Sequence, residues 1–316
     1  MAKHPLKKRR SQSSPPQTSC RRAMGSILLG VFLLILVRQM SHLTLQRTGT
    51  LLSLPKIFAQ ELPDGENIAP TKEELFTNDT VMGGTIPFLS QTIIMHGPRT
   101  QKQVALTFDA DMTPWMKQTI MNGSVANSFD RRIIDILQKS GTKATFFMTG
   151  LWIEMYRSEV EKLSRDPLFA FGNHSYSHPS FDGNCYGLRL IPDAEDITEV
   201  EKTQKLLQET TGTDPEIFRF PGGCYSTSDI SIVTNFTHLQ VVHWDVVGND
   251  GFNNDVESIE QNVLSHVENG SIIVLHMNGA PNAPRTADAL PVIIQTLHTR
   301  GYTFVTLPEL LHLPAE

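Results

Sequence analysis

From Gln103 onward the chain alternates two kinds of segment, and that alternation limits the fold more than any other feature. Apolar, β-branched runs at 103–108, 143–149, 168–173, 216–220, 239–247, 271–276 and 302–306 are separated by amphipathic segments at 129–140, 152–165, 196–210, 256–268 and 289–300. Such alternation predicts βα units around a parallel sheet. Several runs, Ser271-Ile272-Ile273-Val274-Leu275 among them, are apolar almost throughout, as strands covered on both faces are. About seven such strands suit either a barrel or a doubly wound sheet, and periodicity does not choose between them.

Asp109 and Asp111, His174 and His178, Arg219, Asp245 and Asp250, and His276 all fall where these runs end. In parallel α/β folds, ligands and catalytic groups gather at the C-terminal ends of strands. His174-Ser175-Tyr176-Ser177-His178 carries two imidazoles four residues apart, which can meet on one side of a turn and hold a divalent metal. In an H-E-x-x-H signature the intervening Glu is the general base, whereas no carboxylate lies between these two histidines. The base must come from elsewhere, and Asp109 is the first candidate.

The N-terminal region follows different rules. Residues 1–22 form a basic tail with Lys3, Lys7, Lys8, Arg9, Arg10, Arg21 and Arg22, and an uncharged apolar stretch at 23–37 is closed by Arg38. At roughly 15 residues the stretch is short for a membrane span and long for the core of a signal peptide. The preferred reading is a transmembrane signal-anchor, because the best small-x-small cleavage site lies far downstream near Phe58-Ala59-Gln60. Cleavage would instead give a secreted chain. Either reading sends the remainder to the periplasm or outside the cell, with the basic tail inside. Residues 38–100 carry Pro, Gly, Thr and Asn without sustained periodicity, as a stem or irregular extension would.

Removing the eight cations up to Arg38, where no acids occur, takes the formal charge from −6 to −14. So acidic a remainder argues against a nucleic-acid partner. Cys20 would stay in a reducing cytoplasm, while Cys185 and Cys224 would be exported together and could form one disulfide.

The order of these segments resembles the polysaccharide deacetylase family, the NodB homology domain of carbohydrate esterase family 4, over residues 101 to 310. Thr107-Phe108-Asp109-Ala110-Asp111 resembles the first family motif, T-F-D-D-G. His174-Ser175-Tyr176-Ser177-His178 meets the second, H-[ST]-x-x-H, in full, and Arg219-Phe220-Pro221-Gly222-Gly223 meets the third, R-x-P-[YG]-G. Trp244-Asp245-Val246-Val247-Gly248-Asn249-Asp250 meets part of the fourth, and Ile273-Val274-Leu275-His276 corresponds to the fifth.

The resemblance implies a deformed (β/α) barrel of about seven strands at 101–316, acting on N-acetyl and sometimes O-acetyl groups of a glycan in the cell envelope or outside the cell. It implies a divalent metal, zinc before cobalt, nickel or manganese, on His174, His178 and one carboxylate. Asp109 would be the base, Arg219 would fix and charge-balance it, and His276 would protonate the departing amine. Asp245 or Asp250 would orient His276. The backbone N–H of Gly222 would face the oxyanion, and Trp244 and Val274 would line the acetyl pocket.

Two departures matter. The family's second aspartate, a metal ligand, is replaced by Ala110, which leaves Asp111 as the expected third ligand if the loop turns it back. Motif four lacks its second Trp, because Gly251 follows Asp250. Competing readings are a degenerate glycan-binding member of the family and a related C–N hydrolase acting on a small cyclic amide.

Overall fold

The computed structural model describes residues 93–313. The basic tail, the expected membrane segment at 23–37 and most of the expected stem lie outside the described residues. Among the described residues, no helix is long and apolar enough to cross a membrane.

Among the described residues, eight strands are present: β1 (Gln103–Ala110), β2 (Ala144–Met148), β3 (Phe169–Asn173), β4 (Ile217–Phe218), β5 (Gln240–Val241), β6 (Val246–Val247), β7 (Ile272–His276) and β8 (Thr303–Val305). Nine α-helices of the described residues accompany them: α1 (Pro114–Met121), α2 (Arg131–Ser140), α3 (Gly150–Met155), α4 (Arg157–Leu163), α5 (Asp193–Thr211), α6 (Thr227–Thr237), α7 (Val256–Leu264), α8 (Thr286–Thr299) and α9 (Leu307–Leu311). Every strand pairing is parallel, in the order β5-β4-β3-β2-β1-β7-β6, with β8 beside the start of β1.

The apolar run at 239–247, expected as one strand, is two strands at opposite ends of this order. Val241 pairs with Phe218 of β4, and Val246 pairs with Ile273 of β7. Five Cα steps span at most about 18 Å, so the two ends of the sheet face each other across a narrow seam. The sheet is therefore curled into a barrel that does not quite close. Residues 93–97 cover the seam: Ile94 bridges to Val242 and His96 bridges to Ser271. The last part of the expected extension at 38–100 is thus part of the folded unit. It continues the sheet because its backbone groups find partners on both lips of the seam, Val241 and Gly270.

Alternation along β1 divides its side chains between two apolar layers. Val104, Leu106, Phe108 and Ala110 join the outer layer with Phe146, Met148, Trp152, Leu290 and Ile293, under the helices. Ala105 joins Phe147, Ile217, Val242, Ile272 and Leu307 on the inner side. Burying each such Leu, Ile or Phe contributes about 1.5–3 kcal/mol. Thr107 and Asp109 share the parity of Ala105, so Asp109 arrives inside the barrel mouth by strand geometry alone. Parallel register then sets Asp109 opposite His276 of β7.

Candidate active site

The site is built from residues at, or just beyond, the C-terminal ends of strands β1, β3, β4, β6 and β7. β1 ends at Ala110, and Asp111, which shares the parity of Asp109, presents its carboxylate on the inner side. Its Oδ1 lies 3.4 Å from His174 Nε2 and 3.3 Å from His178 Nε2. The three ligand atoms lie within 4.8 Å of one another. Ala110, at the family's ligand position, belongs to the outer apolar layer and points away from this cluster.

The cluster fits a metal. Edges of a tetrahedron with ligand bonds of about 2.0–2.1 Å are roughly 3.3 Å long, close to the two separations around Asp111. His174 Nδ1 is hydrogen-bonded to the Arg219 carbonyl at 2.8 Å, which leaves the Nε2 lone pair facing the cluster. That buried Nε2 and the buried Oδ1 of Asp111 have no hydrogen-bond partner. Burial opposes charge on Asp111, yet the neighbouring imidazoles of His178, His174 and His276 hold it well below the usual carboxylate range. Groups of this kind, desolvated and turned toward one point, are stable only around a positive charge.

The loop that carries the histidines is strained and clamped. Ser175 and His178 adopt left-handed backbone, with φ of 65° and 55°. Glu199 of α5 accepts from the Tyr176 and Ser177 amides at 2.9 and 2.7 Å and from Ser177 Oγ at 2.7 Å. Asn173 accepts from the Ser175 amide and donates to the Val200 carbonyl. Asn278 holds the other side: its Nδ2 donates to the Asp111 carbonyl at 2.6 Å, and its Oδ1 accepts from the Asp111 amide at 3.3 Å. Glu199 and Asn278 carry no motif signature, and sequence reasoning passed over both.

Beside the cluster, Asp109 Oδ1 accepts from Arg219 Nη1 at 2.6 Å, and Asp109 Oδ2 is 3.8 Å from His174 Nε2. Arg219 is fully buried and well satisfied. It also donates to Thr107 Oγ1, to the Val242 carbonyl and to the His243 carbonyl, and its guanidinium lies 3.9 Å from the Phe147 ring centre. On the opposite side, His276 Nδ1 meets Asp250 Oδ1 at 2.8 Å. Asp250 Oδ2 accepts from the His276 amide and from Thr286 Oγ1 of α8. Burial would lower the basicity of His276, but Asp250, with Asp111 and Asp109 behind it, pushes its pKa up to about 10.

Of the two aspartates expected beside His276, only Asp250 reaches it. Asp245 instead binds Arg99 at 2.7 Å, the Ser271 hydroxyl and the Ile272 amide. The reason is the seam: Asp245 lies near the start of β7, where it ties β6 to β7, and the chain must run on to Asp250 before it reaches the mouth.

Gly222 lies in a tight turn with φ of 62°. A Cβ there would meet Cys185 Sγ at 2.6 Å, so only glycine fits. Cys185 and Cys224 are joined by a disulfide that ties this turn to the loop after His178. Gly223 packs on the rings of His243 and Trp244, which stack at 4.7 Å. Val274, two residues before His276, is buried on the same face of β7.

Residues 96–241 match the profile of the Polysaccharide deacetylase family. A peptidoglycan-N-acetylglucosamine deacetylase of Bacillus cereus is 30% identical over 220 residues, 70% of this chain and 72% of that protein. The solved structure of a peptidoglycan N-acetylglucosamine deacetylase in complex with a naphthalenyl N-oxidanyl-benzamide superposes with a TM-score of 0.59 at 28% identity, over 71% of this chain and 94% of that one. A family 4 pseudoenzyme of Bacillus anthracis superposes with a TM-score of 0.56 at 25% identity, over 70% of this chain and 69% of that one. The strand-end motifs, the curled parallel sheet and these likenesses agree: the chain belongs to the polysaccharide deacetylase family.

Proposed function

We propose that this chain removes N-acetyl groups, and O-acetyl groups where they occur, from a cell-envelope or extracellular polysaccharide such as peptidoglycan. The observation that carries the reading is the Asp111, His174 and His178 cluster lying between two charged pairs, Asp109 with Arg219 and His276 with Asp250. A divalent cation held by Asp111, His174 and His178, with zinc preferred over cobalt, nickel or manganese, would supply Lewis acidity at the acetyl carbonyl and a lowered pKa for water.

The chain's own residues supply the rest. Asp109, fixed by Arg219, takes a proton from the attacking water as the water oxygen bonds to the acetyl carbon. The Gly222 N–H faces the developing oxyanion, and Trp244 and Val274 line the pocket for the acetyl methyl. Cationic His276, held in orientation by Asp250, gives its Nε2 proton to the nitrogen as the C–N bond breaks, leaving acetate and a free amine. The domain at 101–316 would work in the periplasm or outside the cell, tethered by the segment at 23–37 or released by cleavage, with 38–100 as its stem and no nucleic-acid partner.

The altered first motif favours a second reading, a family member that binds glycan without turnover. Acetate release from a panel of acetylated glycans, with and without chelator and with His174→Ala as control, decides between them. Chelator-sensitive release by the wild type and none by the variant is the expected outcome. No release from any glycan by the metal-loaded full chain would overturn the enzymatic reading.

A further inference from the structure

Asp196, in the first turns of α5, is wholly buried, and neither of its carboxylate oxygens receives a hydrogen bond. A buried carboxylate without donors is among the most unfavourable groups a fold can hold, unless its charge is removed. Its surroundings are negative as well. Asp229 of α6, itself buried, stands in contact with it, Asp193 lies one turn before it on α5, and Asp182 of the preceding loop acts on Asp229. Arg189, from the same loop, is directed to Glu195 and Glu199 instead.

Two carboxylates in contact cannot both ionise unless a cation lies between them, and a single shared proton relieves them equally well. Among the described residues, only Asp111, His174 and His178 bring three ligand atoms together closely enough for an ion, so the pair lacks a third side chain for one. A proton needs no third. Asp229 Oδ2 accepts from the Ser226 amide at 2.6 Å in the capping box of α6, whereas Asp196 has no such anchor, so a shared proton would reside on Asp196 and be donated to Asp229. Burial, followed by the charges of Asp229 and Asp193, pushes the pKa of Asp196 up to about 7.

We propose that Asp196 and Asp229 share one proton and so form a pH-sensitive latch between α5 and α6 that positions the metal-binding loop. The start of α5 has no side-chain cap of its own, since Pro192 stands at the N-cap, and besides the pair Ser228 Oγ of α6 donates to Asp193 at 3.1 Å. One turn beyond Asp196 on the same helix, Glu199 holds the Tyr176 and Ser177 amides between the two cluster histidines. Asp196 and Asp229 are therefore positioning residues, acting through Glu199. The folded pKa of Asp196 lies above the ordinary value near 3.9, so the latch is complete below about pH 4 and is lost as pH rises through about 7.

The test is denaturant unfolding of the full, metal-loaded chain, wild type against Asp196→Asn, across pH. The amide is isosteric with the protonated acid and donates to Asp229 at every pH. The ratio of the wild-type unfolding constant to that of the variant should therefore rise about tenfold or more between about pH 5 and about pH 8, with the variant the more stable at the upper end. Asp229→Asn, which relieves the charge facing Asp196, should abolish most of the same rise. At about pH 8 the Tyr176 and Ser177 amides should exchange hydrogen severalfold more slowly in Asp196→Asn than in the wild type. A ratio that is flat with pH, an Asp196→Asn chain that does not fold, or equal exchange of these amides in the two proteins overturns the proposal. So does calcium or magnesium chloride raising the wild-type midpoint at about pH 8 while leaving that of Asp196→Asn unchanged, because a cation would then occupy the pair.

Discussion

The two charged pairs that flank the metal cluster are built in opposite ways. Asp109 and Arg219 are buried, Arg219 completely, and every part of the guanidinium has a partner inside the barrel. His276 is held by one carboxylate at the mouth, and its side chain keeps 31% of its exposure. A buried pair is rigid, but it depends on both members being present, because either charge alone is desolvated without compensation. A pair at the mouth tolerates loss better and can exchange protons with solvent. The difference suits the proposed roles. A base must be aimed at one water, whereas an acid must be recharged after each turnover.

Breaking the buried pair should give the largest effect. Arg219→Met leaves Asp109 as an unpaired buried charge, at a stability cost of about 3–5 kcal/mol. Denaturant unfolding at neutral pH should show this as a lowered midpoint with unchanged slope. The same measurement on Asp250→Asn should show a smaller loss, because that carboxylate also serves the His276 amide and Thr286, which an amide oxygen can still accept from in part. Equal losses in the two variants would erase the contrast between them.

The next effect is on rate. Asp109→Asn and His276→Ala should each retain metal and lose about 10²-fold or more in acetate release. Metal content by mass spectrometry separates a lost base from a lost ligand. By contrast, His174→Ala should lose both metal and turnover.

Position 110 sharpens the comparison between inner and outer faces of β1. Asp111→Ala should weaken metal binding nearly as much as loss of a cluster histidine. Moving the carboxylate back, with Ala110→Asp in the Asp111→Ala background, should fail to restore it. The Ala110 side chain packs among Leu106, Phe108 and Met112, so the new carboxylate would be buried in the apolar layer and would destabilise the fold by several kcal/mol, roughly. Recovered metal affinity in that variant would mean that the end of β1 can rotate.

These residues mark the reach of the sequence. Asp109, Arg219 and His276 were legible because each ends an apolar run, and a parallel sheet gathers such ends at one mouth. Asp245 and Asp250 were not separable, since the run at 239–247 reads as one largely apolar segment and gives no sign that the chain crosses the barrel seam between Val241 and Val246. Helix α6, Thr-Ser-Asp-Ile-Ser-Ile-Val-Thr-Asn-Phe-Thr, is rich in β-branched and hydroxyl residues and lacks a clear period; its capping box from Ser226 to Asp229 was the available signal. Glu199, Asn278 and Thr286 act through the third dimension alone. Each is an ordinary polar residue in its own segment, and only the curl of the sheet brings it to the loop or carboxylate it holds.

The smallest expected effect is a shift in pH dependence, and it tests the mouth pair directly. Burial alone would lower the pKa of His276, and the charge and hydrogen bond of Asp250 outweigh it, placing the pKa at about 10. Because the folded value lies above the ordinary one near 6.5, the cationic form is favoured in the native state. The stability it brings is fully present below about pH 6.5 and is lost as pH rises toward about 10. Turnover should fall along the same limb, since neutral His276 has no proton for the leaving nitrogen. Asp250→Asn removes the leading charge that favours the cation, so the alkaline limb of kcat should move to lower pH while the acidic limb stays in place. A bound divalent cation would lower His276 in both proteins, which makes the comparison at equal metal loading the decisive one. An alkaline limb that does not move would mean that some other group donates the proton, and that Asp250 only shapes the loop between β6 and α7.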